Sequence, residues 1–269
     1  MRAQSAPLIT VSYHQTTNDL AFRLLASAAQ ELLHLVLLQV ISLLKDAFQK
    51  AGLDLYLAPY GVLPTAYECG ILEVVPEASS RSALGETSDA GLYEIFQREF
   101  GAPGTESFEI ARHNFILSSA GYAIASFLLQ SKDRHNGNIL IDTQGRLVHI
   151  DFGFILEISP GANMRFESAA FKLSHEMTQL LDPSGQRDSP QFHLFEELCV
   201  RGFLAARSVA EGILATVALM QDSRLPCFGR GAPIPNLRKR FHLDMTEARA
   251  AAFMRSTILD AYDKVLGVA

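Results

Sequence analysis

Residues 132–153 read KDRHNGNILIDTQGRLVHIDFG, and the rest of the chain is best understood outward from this stretch. Two short apolar runs, Ile139-Leu140-Ile141 and Leu147-Val148-His149-Ile150, flank Asp142-Thr143-Gln144-Gly145-Arg146, where glycine permits the positive φ of a tight turn. The pattern predicts a β-hairpin. With Gln144-Gly145 as a two-residue tip, pairing sets Thr143 against Arg146 and, carried outward, Asn138 against Asp151. Directly opposed residues hold their Cβ atoms roughly 5 Å apart. An amide oxygen and a carboxylate at the open end of the hairpin would then converge on one hard cation such as Mg²⁺, which takes oxygen ligands and keeps substrate phosphates in its shell. Asp133 lies just upstream, close enough to face a nucleophile.

The flanking sequence builds a scaffold for that hairpin. Glu106 to Leu129 carries Phe108, Phe115, Ile116, Ala123, Phe127 and Leu128 at helical spacing, with Gly121 allowing close approach by a neighbour. This helix delivers the chain into residue 132. Further upstream, Leu32 to Ala51 places Leu37, Leu38, Ile41, Leu44 and Phe48 on one helical stripe, and Gly52 sits where a C-cap belongs. Leu53–Leu63 and Gly70–Val75 are β-rich and predict two strands, the second ended by Pro76. Ser79–Asp89 reads as a loop with a short helix after it, and Phe154–Phe171 as irregular chain. Phe192–Met220 and Thr246–Leu266 read as helices. Residues 1–31 carry no usable pattern beyond partial helix from Asn18 onward.

Composition bounds the class. At 269 residues and 48% hydrophobic, the chain can bury a sizeable core in one domain or two small lobes. Three cysteines, Cys69, Cys199 and Cys227, lack CxxC spacing, so neither a disulfide framework nor a zinc site is indicated, and all three are expected as buried thiols in a reducing compartment. A net charge of -6 argues against bulk attraction to nucleic acid or anionic lipid and leaves only local membrane contact. The most apolar run, Leu32 to Leu44, is interrupted by His34, Gln39 and Ser42 and falls short of the roughly 20 residues of a spanning helix. No secretory signal is legible at the N-terminus.

An aspartate followed five positions later by an asparagine, and then by a hairpin ending in Asp151-Phe152-Gly153, resembles the catalytic-loop and metal-loop arrangement of the protein-kinase superfamily. The order Asp133-Arg134-His135-Asn136-Gly137-Asn138 with His149-Ile150-Asp151-Phe152-Gly153 is similar to the phosphatidylinositol 3- and 4-kinase family, above all to the large type III alpha phosphatidylinositol 4-kinases of plants or algae. Further stretches carry the likeness: residues 60–65 (YGVLPT), 91–96 (GLYEIF), 164–168 (MRFES) through 180–185 (LLDPSG), and 225–228 (LPCF). The resemblance runs from about Leu38 to near the end of the chain.

It implies an α+β, protein-kinase-like lipid kinase fold, mostly the helical lower lobe with an incomplete β-containing upper lobe. Residues 1–37 are then a divergent N-terminal segment, 38–76 a remnant of the upper lobe and hinge, and 77–269 the lower lobe. The implied activity is ATP-dependent transfer of the γ-phosphate to the 4-hydroxyl of phosphatidylinositol, at the cytosolic face of a membrane, the plasma membrane foremost. Asp133 would accept or orient the proton of an inositol hydroxyl, with His135 the alternative base, and Lys132 would contact the transferring phosphate. Asn138 and Asp151 would hold Mg²⁺, with Mn²⁺ as the alternative, and Arg134 would support the loop by hydrogen bonding. Backbone groups of Glu73 and Val75 would meet adenine above a floor of Leu140 and Ile150. The segment from Asp151 to Lys172 would meet the headgroup; its only basic residues, Arg165 and Lys172, are too few for a headgroup already carrying extra phosphates, so plain phosphatidylinositol fits better. The run Arg238-Lys239-Arg240 is either a local lipid contact or a solvated face. Regulatory subunits cannot be read from the sequence, and no nucleic-acid partner is expected.

One departure from the family is plain. Such kinases cover the phosphates with an upper lobe that supplies a lysine, yet the first lysine here is Lys45 and the first glycine Gly52. The final amphipathic helix of the family is also missing before Ala269. A fragment, or a replaced N-terminal segment, is therefore expected, with weak or no activity alone: loss of such an electrostatic contact costs on the order of 10²-fold in rate. The competing readings are an inactive, truncated kinase-like binding module and, less favoured, a protein kinase of the related giant-kinase group.

Overall fold

The computed structural model describes residues 9–11, 22–25, 28–66, 69–86, 91–156, 158, 169–223, 225–229 and 231–266. In chain order the elements are β1 (Ile9–Val11), β2 (Phe22–Leu25), α1 (Ala28–Lys50), β3 (Val62–Ala66), β4 (Cys69–Glu73), β5 (Ala78–Ser80), α2 (Arg81–Glu86), α3 (Leu92–Phe100), α4 (Glu106–Leu129), β6 (Ile139–Asp142), β7 (Leu147–His149), α5 (His175–Leu181), α6 (Pro190–Ser208), α7 (Ala210–Ala218), α8 (Pro233–Arg240) and α9 (Glu247–Leu266). The strands form two antiparallel sheets, ordered β1-β2-β4-β3 and β5-β6-β7. Helices and segregated antiparallel sheets make the class α+β, as expected.

α4 is the axis of the molecule. Thr105 caps it by accepting the Phe108 N–H, Glu106 and Glu109 favour its positive end, and Gln130 closes it in the left-handed region. From Ser118 to Leu129 every residue is buried, so the helix is enclosed around its whole circumference, with only Ser118, Ser119, Tyr122 and Ser126 carrying polar side-chain atoms in this stretch. It packs against α3, α5, α6, α8 and β7. Its boundaries match those expected from the sequence.

Gly121 explains how a strand-like segment crosses this helix. A Cβ there would lie 2.6 Å from the Tyr56 carbonyl oxygen. Leu53, Leu55 and Leu57 are buried at alternate positions while Tyr56 N–H donates to the Leu117 carbonyl. The expected strand from Leu53 to Leu63 is thus corrected: its period of two is real, but until Val62 it lies across α4 rather than beside a strand, and no ladder forms.

Other differences have local causes. Partial helix was expected from Asn18, but Phe22–Leu25 is a strand that pairs with β4, setting Arg23 opposite Leu72. α1 begins at Ala28, four residues earlier than its apolar stripe suggests, and Gly52, with φ +66°, follows its end. Of Ser79–Asp89, expected as loop, Ser79 and Ser80 join Ala78 in a third strand along β6, and Arg81–Glu86 is the helix α2. The single helix expected over Phe192–Met220 breaks at Val209, whose N–H turns back to the Ala206 carbonyl, giving α6 and α7. Cys199 and Cys227 are buried free thiols, while the side chain of Cys69 lies outside the described residues. Among those residues no helix is long and apolar enough to cross a membrane. One continuous core joins α1, α4, α6, α7 and α9, so the helix preceding the β3-β4 hairpin is packed both on that hairpin and on the helical body.

Candidate functional site

The β6-β7 hairpin forms where the sequence predicts it, but its register differs by one. Ile139 pairs with His149, Leu140 with Val148 and Ile141 with Leu147, and the Ile150 N–H donates to the Asn138 carbonyl. Asn138 therefore stands opposite Ile150, not Asp151. The cause is the turn: Asp142 accepts the N–H groups of Gln144 and Arg146 on its Oδ1, and its own N–H donates to the Arg146 carbonyl. This makes Thr143-Gln144-Gly145 a three-residue loop with Gly145 at φ +80°, the positive-φ position of a bulged hairpin. A short acid at the turn entrance competes for backbone donors and lengthens the tip.

A regular strand would send Asp151 to the face away from Asn138. Asp151 instead leaves the strand, with φ +55°, and Asp133 has φ +62°. Aspartate tolerates the left-handed region better than most residues, at a cost of roughly 1–2 kcal/mol. Both segments are fixed by Arg134, whose side chain is fully buried. Its Nε donates to the Lys132 carbonyl at 3.0 Å, its Nη1 to the Ile150 carbonyl at 2.6 Å and its Nη2 to the Asp151 carbonyl, while the guanidinium lies 5.0 Å from the Phe152 ring centroid. Arg134 thus knits the 132–138 loop to the 150–153 loop, the supporting role expected of it.

Asn138 is 7% exposed, and its Nδ2 donates to the Asp133 carbonyl at 3.0 Å. With the amide nitrogen committed there, Oδ1 is the atom left to accept. Asp151 is exposed, and Asp133 and Lys132 are half-buried; the Lys132 N–H donates to the Phe154 carbonyl. His135 is exposed and its Nδ1 accepts the Gly137 N–H at 3.0 Å. Among the described residues no three His, Cys, Asp or Glu side chains cluster as a metal cage. An amide oxygen and a carboxylate suit a hard divalent cation that draws its remaining ligands from phosphate and water.

Leu140 and Ile150 share one hairpin face with Asn138, since Leu140–Val148 and Asn138–Ile150 are alternate pairs, and both are half-buried. The opposite face is sealed on α4: Ser118 Oγ accepts the Leu147 N–H, and Tyr122 stacks on His149 with centroids 4.4 Å apart. Burial, then the positive charges of Arg134 and Lys172, hold His149 well below the usual imidazole range, so this ring is neutral. Tyr60, also buried, has its phenol pushed up by burial and by Tyr122, against a hydrogen bond to the backbone of Asp151. The Glu73 N–H donates to the Gly61 carbonyl, which removes it as a donor to any ligand, and its Oε2 accepts the Gly61 N–H; Val75 lies beyond the ladder and is half-buried. Lys172 is half-buried near Asn136, and Arg165 lies outside the described residues. The basic turn of α8 is engaged within the protein: Arg238 pairs with Glu211 and Arg240 Nε donates to the Leu128 carbonyl.

Sequence reading missed Tyr60 and the joint between Arg81 and Glu176 described below. Tyr60 belonged to a recognised stretch but carried no sign of its approach to Asp151. Nothing local marks Arg81, whose partner is 95 residues away.

Asp133 and Asn138 five residues apart on one loop, joined by a buried arginine to the loop that carries Asp151-Phe152-Gly153, match the order of residues in the catalytic and metal loops of the kinase type. A family model for phosphatidylinositol 3- and 4-kinases matches residues 30–230, and the chain belongs to that family. Among individual proteins it is similar to phosphatidylinositol 4-kinase alpha 1 of Arabidopsis thaliana, 67% identical over 84% of this chain and 11% of the relative. Phosphatidylinositol 4-kinase alpha 2 of the same plant is 64% identical over 84% of this chain and 42% of the relative. Phosphatidylinositol 4-kinase STT4 of Saccharomyces cerevisiae is 46% identical over 85% of this chain and 12% of the relative. The chain therefore spans less than half the length of each of these relatives.

Proposed function

We propose that the chain is catalytic substance of an ATP-dependent phosphatidylinositol 4-kinase, passing the γ-phosphoryl group to the 4-hydroxyl of phosphatidylinositol at the cytosolic face of a membrane. The observation that carries this reading is the joint made by Arg134, which brings Asn138 and Asp151 into one frame with Lys132, Asp133 and His135. The names of the relatives support the choice of lipid and hydroxyl.

Asn138 Oδ1 and the Asp151 carboxylate would hold the divalent cation, Mg²⁺ or Mn²⁺, which when bound neutralises charge on the phosphate oxygens. Leu140 and Ile150 form an apolar floor for adenine, with Val75 at its edge. The alternatives for the base separate on one hydrogen bond. Because His135 Nδ1 accepts from Gly137, the neutral ring carries its proton on Nε2 and presents a donor to the transferring group. Asp133 is the acceptor: it takes the hydroxyl proton as the inositol oxygen bonds to phosphorus and ADP leaves. Lys132 offers a further positive charge to the phosphoryl oxygens. With Lys172 and Arg165 as the only cations in the headgroup segment, unphosphorylated phosphatidylinositol is the substrate that matches.

The test is transfer of radiolabelled phosphate from ATP to phosphatidylinositol vesicles, with Asp151→Ala as control. Incorporation that depends on Asp151 supports the enzyme. Equal incorporation by both proteins supports the second reading, a kinase-like binding module, which the lack of any lysine or glycine in residues 1–44 favours.

A further inference from the structure

Arg81 begins α2, and Glu176 stands in the first turn of α5. Arg81 Nε donates to Glu176 Oε2 at 2.9 Å and Nη2 to Oε1 at 2.8 Å, a two-pronged pair with the arginine side chain 11% exposed. Parallel prongs fix direction as well as distance, which a single-point contact does not. What the pair joins makes it informative. On one side, α2 packs on the turn Asn136–Asn138 of the catalytic loop, with Ser82 Oγ 3.8 Å from where a Cβ on Gly137 would stand. On the other, Glu176 follows directly on the chain that carries Lys172, whose end Ser174 secures by accepting the Met177 N–H. Arg81, Asn136, Lys172 and Glu176 line one small cavity between these parts.

We infer that the Arg81–Glu176 pair is a positioning device that sets residues 169–176, where the lipid-facing segment ends, against the catalytic loop. It rests on the kinase reading above and assigns a role to residues outside the reacting groups. The catalytic loop has its own brace in Arg134, and the metal-binding loop shares it. Loosening the Arg81–Glu176 pair therefore frees residues 169–176 while the nucleotide side keeps its frame. The device separates two acceptors: a headgroup hydroxyl, which must be placed by the segment, and water, which need not be.

The experiment compares Glu176→Gln, Arg81→Ala and the exchanged pair Arg81→Glu with Glu176→Arg. Transfer to phosphatidylinositol vesicles should fall on the order of 10- to 100-fold in the single variants, the loss expected for an acceptor displaced by about 1 Å. KM for ATP and lipid-free release of inorganic phosphate from ATP should stay unchanged. The exchanged pair should recover most of the transfer. Amide hydrogen exchange over residues 169–176 should quicken in the single variants and slow again in the exchanged pair. A parallel fall in lipid transfer and ATP hydrolysis, or unaltered exchange in Glu176→Gln, overturns the inference. If the unaltered chain neither phosphorylates lipid nor hydrolyses ATP, the kinase reading fails, and the exchange measurement still decides whether the pair anchors the segment.

Discussion

Replacing Arg134 by lysine keeps the charge and removes the shape. The guanidinium serves three carbonyls, of Lys132, Ile150 and Asp151, and lies over Phe152. An ammonium group at the end of a lysine reaches one of those carbonyls well. Two charge-assisted hydrogen bonds are lost, each worth about 1.5–3 kcal/mol, so the local cost is about 3–6 kcal/mol. The residue is 1% exposed, so water has little access to the abandoned carbonyls. At about 2–4 °C per kcal/mol for a chain of this size, the thermal midpoint should fall by about 6–24 °C. Circular dichroism at 222 nm follows the midpoint, and phosphate transfer measured well below it should also fall, because the two loops lose their common anchor. A midpoint within about 2 °C of the unaltered protein, with undiminished transfer, would refute the bracing role of Arg134.

Other perturbations test separate parts of the structure. Gly145→Ala combines φ +80° with a Cβ 2.8 Å from the Ala111 carbonyl oxygen, so denaturant unfolding should register a loss of about 2–4 kcal/mol. Asp151→Ala should abolish phosphate transfer while costing no more than about 1–2 kcal/mol in urea unfolding, since its side chain is exposed and only its left-handed backbone objects to alanine; Asn138→Ala should abolish transfer and cost about 1–3 kcal/mol, since its buried amide holds the Asp133 carbonyl. Burial opposes ionisation of Asp182, but the hydroxyls of Tyr262 and Ser189, the Arg187 N–H and the Ser184 hydroxyl outweigh it and hold its pKa below the ordinary carboxylate value. A depressed carboxylate stabilises the fold above its unfolded pKa of about 3.9 and loses that contribution as pH falls through the folded value. Acid titration should show this loss below about pH 4, and Asp182→Asn should lower stability at neutral pH while flattening the acid limb. Burial pushes the Cys227 thiol up to about 11 and Cys199 well above its ordinary value, so iodoacetamide at pH 8 should modify neither until urea unfolds the protein, as read by mass spectrometry.

The extent to which the fold could be read in advance follows from where its determinants lie along the chain. α4 announced itself because its apolar residues recur at helical spacing over one unbroken run, and the hairpin because Gly145 sits between two apolar runs; the Thr105 cap was seen only in the structure. The register of that hairpin depended on whether the Asp142 carboxylate would claim two backbone donors, a competition that apolar alternation does not report. The Leu53–Tyr60 segment shows the same limit, since alternate burial against a helix and against a strand look alike in sequence. In the candidate site, spacing and family likeness single out Asp133, Asn138 and Asp151. The left-handed backbone at both aspartates and the direction of the His135 hydrogen bond are not legible in that way, because they arise from how two distant loops meet.

Arg134 grips its partners through main-chain oxygens, and every amino acid carries the same oxygen. The joint is therefore blind to what stands at positions 150 and 151. Selection or an experimenter can exchange the aspartate for asparagine or glycine, which also accept its left-handed backbone, and leave the masonry standing, so chemistry and architecture come apart at that one position.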